Sequence, residues 1–128
     1  MNLKLAALKG AMLWALVFFE VSILMFGFGV QVPSTLYYIV HLPLLAAFTA
    51  FAAHLYFRKE KRAGAKNGFM LGLLFLLVGI VLDALITVPL FVRDYAFFMR
   101  ADIMVGFAVV LAAATAVGMR ARRGKKKR

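Results

Sequence analysis

The chain has 128 residues and contains no cysteine, one tryptophan, two histidines, three prolines and only five acidic residues. Lack of cysteine excludes disulfides and thiolate metal sites. Shortage of acid leaves a strong imbalance, with 16 Lys+Arg and a formal net charge of +11. Catalytic signatures are missing as well: there is no H-E-x-x-H, no P-loop, no G-x-S-x-G and no Cys-based redox pair. What fills the chain is apolar. Hydrophobic residues make up 65% of it, and the mean hydropathy is +0.92. A soluble domain of this length cannot hide so much apolar surface, because short chains bury the smallest fraction of theirs.

The charges are squeezed between four apolar stretches, at roughly 8–30, 35–57, 68–92 and 101–119. Each is near or above the length of about 20 residues that a helix needs to cross a bilayer. Residues 1–128 therefore read as a single integral membrane domain of the all-α class, a four-transmembrane-helix bundle. The first stretch carries Glu20 and leads into "FGVQVPST" without a small-x-small pattern, so it is expected to be retained rather than cleaved as a signal peptide.

Orientation follows from the basic residues. Lys4 and Lys9 precede the first span, Arg58, Lys59, Lys61, Arg62 and Lys66 lie between the second and third, and seven more follow Met119 in "RARRGKKKR". Only Arg93 and Arg100 fall on the opposite side. The positive-inside rule then predicts both termini cytoplasmic in a multi-pass protein of the cell membrane. The tail at 120–128 has no interleaved stacking aromatics and no nucleic-acid motif, so the expected partners are the bilayer and its anionic lipids rather than nucleic acid. A homo-oligomer is also open, since four helices enclose little space.

Three ionisable residues lie inside the spans. At about 1.5 Å per residue, Glu20 sits roughly 15 Å, His41 roughly 9 Å and Asp83 roughly 14 Å from the outer ends. Ionisable groups at such depth face a partner, the bundle interior or a wet cavity. A four-helix bundle can bring Glu20, His41 and Asp83 together, with Ser22, Gln31 and Thr87 as lesser partners. Gly72, Leu76, Gly79, Asp83 and Thr87 share one stripe at steps of three or four, and glycines on such a stripe let another backbone approach. Pro43 and Pro89 withhold the N–H groups that the carbonyls of Ile39 and Leu85 receive in regular winding. Arg93 with Asp94, and Arg100 with Asp102, are candidates for closing the outer mouth, and Asp102 also suits the first turn of a helix.

Two carboxylates and a histidine can relay protons, attract a cation, or hydrogen-bond one another as neutral glue, and burial favours the neutral forms. The first reading is a small transporter-like or ligand-binding protein using buried carboxylates. The second is a structural or accessory protein whose acids only fix packing, and an intramembrane enzyme is a third. His54, close to the basic loop, reads as interfacial. His41 and His54 are 13 residues apart on one helix, about 20 Å along it, too far to share a haem. No cofactor or metal is expected.

Four spans in a short chain, with one glutamate inside the first, resemble the small multidrug resistance transporters. That resemblance implies proton exchange at Glu20 against cationic substrates, although Asp83, His41 and the one-sided charge depart from the pattern. A wider resemblance, over roughly residues 5–119, is to an uncharacterised family of short four-span prokaryotic membrane proteins, a domain of unknown function. It rests on "LKGAMLWALVFFEVSILMF", "GFMLGLLFLLVGIVLDALITVPLF" and "DYAFFMRADIMVGFAVV", and implies fold and membrane location without an activity.

Overall fold

A computed structural model describes residues 2–30, 34–60, 63–92 and 101–126. The described residues are almost entirely helical. Helix α1 runs over Leu3–Ser22, α2 over Thr35–Lys59, α3 over Ala65–Leu82 and α4 over Ala101–Lys126. Four helices are long and apolar enough to cross a membrane. Their ends differ from the sequence expectation in two places. Helix α1 begins at Leu3 because the Asn2 side chain accepts a hydrogen bond from the Leu5 N–H at 3.0 Å, and so caps the first turn. Helix α4 continues into the basic tail, where Lys and Arg are good helix formers and the last turns reward positive charge. Helix α2 starts on Ser34, whose hydroxyl accepts from the Tyr37 N–H, and continues unbroken through Pro43.

Two helices change their winding at the C-terminal end. Beyond Ser22 the chain is π-helical over Ile23–Gly27, with the Phe28 N–H donating to the Ile23 carbonyl at 3.1 Å. Beyond Leu82 it is π-helical over Asp83–Val92. Such wide turns pair each residue with one five positions back. The missing N–H of Pro89 is therefore not the one that Leu85 requires, which corrects the expectation from regular winding. Each segment begins at or within a turn of an acid, the buried Glu20 or the half-buried Asp83.

Every helix packs on two others, in the cyclic order α1, α2, α4, α3. Their interior stripes follow the helical period. In α2 the buried positions include Tyr37, His41, Leu45, Thr49, Ala53 and Phe57, at steps of four. The core joins Leu13 of α1, Leu45 and Tyr56 of α2, Leu71 and Phe75 of α3, and Val110 of α4. Helices α3 and α4 meet backbone to backbone. A Cβ added at Gly68 would lie 2.5 Å from the Ala114 carbonyl oxygen, and one at Gly118 would press on the Gly64 carbonyl. Glycine at both places is what lets the two backbones touch. Large apolar side chains such as Phe19, Phe26, Phe28, Ile39 and Leu85 point outward.

Candidate functional site

The interior stripe of α1 comprises Gly10, Leu13, Val17 and Glu20, at steps of three or four, with Trp14 a turn beyond Gly10. Glu20 is the last of these and is only 9% exposed. Across the α1–α2 interface its Oε2 lies 2.8 Å from Nδ1 of His41, which is 6% exposed. One proton fits that contact, carried by either atom. Tyr37, one turn before His41, stacks on the imidazole at 4.8 Å between ring centroids and 15° between planes. The ring is thus held on one face and at one nitrogen. The second oxygen of Glu20, Oε1, is buried with no hydrogen-bond partner among the described residues. A buried carboxyl with one oxygen unpaired is costly when ionised.

Asp83 is held differently. Its Oδ1 accepts two hydrogen bonds, from Nε1 of Trp14 at 2.8 Å and from the Thr87 hydroxyl at 2.7 Å. Thr87 lies one turn along the same π-helical segment, so the local winding supplies one donor. Trp14 supplies the other from α1. The indole itself is braced by Phe18, stacked at 5.1 Å.

The two acids do not meet in a single cluster. Glu20 and His41 pair as the sequence suggests, whereas Asp83 pairs with Trp14 and with Thr87, one of its expected lesser partners. Among the described residues no three His, Asp or Glu side chains group closely enough to hold a metal ion. Connection comes instead through a cavity of about 120 Å³ bounded by all four helices. Its wall includes Trp14, Tyr37, His41, Gly79, Asp83 and Phe107. Glu20 is not part of that wall and stands behind His41. The cavity therefore sees Asp83 directly and Glu20 only through the imidazole.

No family model, curated protein or solved structure matches the chain. The functional reading consequently rests on the geometry and the residues.

Of the outer-mouth candidates, Arg93, Asp94 and Arg100 lie outside the described residues, as does Gln31. Asp102 falls in the first turn of α4, and its side chain is not among those described. His54 is exposed near the basic end of α2, away from the cavity wall. Two residues carry more of the site than the sequence suggested. Trp14 was present on the α1 stripe, but an indole there is equally a core filler until its N–H is seen to reach a partner. Gly79 read as a packing position, yet a Cβ built on it meets nothing within 4 Å. It faces the open space rather than a neighbouring backbone.

Proposed function

We propose that the protein crosses the cell membrane four times, with both termini and the α2–α3 connection cytoplasmic. Within it, Glu20, His41 and Asp83 form the proton-exchanging and ligand-binding centre of a small transporter-like protein. The orientation is supported by the positive-inside rule, since fourteen of the sixteen basic residues then share the cytoplasmic side. Those residues also favour contact with anionic lipid. Membership of the short four-span prokaryotic family belongs to the same proposal.

The functional reading is carried by one observation: the buried Glu20–His41 contact at 2.8 Å stands behind a cavity whose wall includes both His41 and Asp83. Ionisable groups inside a span normally mark a proton or ligand path, with the partner identifying the path. His41 is placed to pass a proton between Glu20 and the cavity, because Nδ1 is engaged by the acid while the ring lines the opening. Asp83, steadied by Trp14 and Thr87, is the acceptor for whatever occupies the space.

The test is proton uptake by the purified protein in proteoliposomes after a pH jump, with Glu20→Gln as the variant. Uptake should be lost in the amide while helical content is retained. If Glu20→Gln takes up protons like the wild type and only its thermal stability changes, the centre is not proton-exchanging. A second reading then holds, favoured by the fact that both polar contacts cross between helices: Glu20–His41 ties α1 to α2, and Trp14–Asp83 ties α1 to α3. In that case the acids fix helix packing.

A further inference from the structure

We infer that the cavity binds a small, neutral, single-ring molecule carrying one hydrogen-bond donor, a phenol by chemical class, whose hydroxyl donates to Oδ2 of Asp83. The inference rests on the ligand-binding reading above and names the class of ligand. Size comes first. A cavity of about 120 Å³ is of the same order as the engineered cavity of about 150 Å³ that takes up benzene. It is well below the roughly 300–1,000 Å³ of sites for drug-sized ligands.

The walls narrow the class further. Trp14, Tyr37, Phe75 and Phe107 contribute aromatic surface from each of the four helices. Ring-to-ring geometry favours an aromatic guest over an aliphatic one of equal size. Room for that ring is made at Gly79, one turn before Asp83, where an added Cβ meets nothing within 4 Å.

The polar end decides the rest. Trp14 and Thr87 both donate to Oδ1, and neither of these hydrogen bonds engages Oδ2. The carboxyl is thereby fixed through Oδ1 at a residue that lines an aromatic space, which leaves Oδ2 for a guest. A guest with a single donor satisfies it, and a bare ring does not. Neutrality follows from cost and from precedent within the site. Both groups that the protein places on Asp83 are uncharged, and carrying a charge to this depth of a bilayer costs far more than carrying a hydroxyl.

Fluorine NMR on the full-length protein in nanodiscs tests this with two probes, para-fluorophenol and fluorobenzene, added to wild type, Asp83→Leu and Gly79→Leu. Wild type should prefer the phenol by about tenfold or more, the ratio expected of one hydrogen bond to a carboxyl oxygen. Asp83→Leu should erase the preference, and Gly79→Leu, which fills the space while leaving both acids in the sequence, should abolish saturable binding of both probes. Equal binding of both probes by wild type overturns the inference, since Asp83 is then no anchor. Binding of tetramethylammonium in place of either ring also overturns it, because the ligand would be a cation, while leaving the ligand-binding reading intact. If no probe binds but Glu20→Gln still abolishes proton uptake, the ligand class is wrong and the proton-exchanging centre stands. If no probe binds and Glu20→Gln takes up protons normally, both fall together.

Discussion

Replacing Trp14 with phenylalanine removes the indole N–H together with part of the ring. An aromatic ring remains beside Phe18, while Oδ1 of Asp83 loses one of its two donors and retains Thr87; a double-mutant cycle separates the lost contact from the lost ring volume. A hydrogen bond to a carboxyl oxygen contributes about 1.5–3 kcal/mol when the acid is charged and about 1 kcal/mol when it is neutral. Polar contacts between membrane helices average nearer 0.6 kcal/mol, with a maximum of about 1.7 kcal/mol, because the separated helices find other partners. The Trp14–Asp83 contact joins α1 to α3 in a half-buried setting, so a coupling of about 1–1.5 kcal/mol is expected, close to a tenfold change in the unfolding equilibrium. The assay is a double-mutant cycle of Trp14→Phe and Asp83→Leu, with unfolding by a denaturing detergent followed through helical circular dichroism. Additivity within about 0.3 kcal/mol is the behaviour of independent sites, and it would refute the contact as a source of interhelical stability.

Three further predictions concern packing. Gly118→Ala pushes a methyl group against the Gly64 carbonyl and to 2.8 Å from the Gly68 Cα, so α3 and α4 must separate; a loss of about 1–3 kcal/mol is expected in the same unfolding assay. Gly79→Ala, by contrast, meets open space and should be neutral or stabilising by up to about 1 kcal/mol, since alanine is the better helix former. Thr49 is fully buried and its hydroxyl has no partner among the described residues. Thr49→Val keeps the shape and removes the unpaired group, so the melting temperature should rise, by the equivalent of about 1 kcal/mol; a fall would mean that the hydroxyl is bonded in the native protein.

The four helices were legible because the signal is one of length and composition, and each apolar stretch is long enough to cross a bilayer. Relative level was legible only in part. A rise of about 1.5 Å per residue put Glu20 and Asp83 at nearly equal distances from their helix ends and His41 nearer its own, yet Glu20 meets His41 and Asp83 meets Trp14. Rotation was not legible, because all four helices are apolar on nearly every face and the contrast that marks a buried stripe in a soluble helix is weak. That is why Asp83 was expected beside Glu20 and instead found Trp14, whose N–H is the donor of matching reach on the neighbouring helix. The π-helical winding after Ser22 and Leu82 was equally hidden. It adds a residue to a turn without any residue type that requires it, apart from Pro89 in the second segment. Gly68 and Gly79 look alike in sequence, and only the neighbouring helix distinguishes a glycine that admits a backbone from one that opens a cavity.

The most direct measurement of the central claim is infrared difference spectroscopy of the carboxyl groups across pH, on wild type and on Glu20→Gln in lipid. The account predicts a carboxyl band that changes with pH, disappears in the Glu20→Gln variant, and is displaced in a variant that lacks the His41 imidazole. A spectrum in which the buried carboxyls give no change at any pH would contradict it, and Glu20 would then be a packing residue.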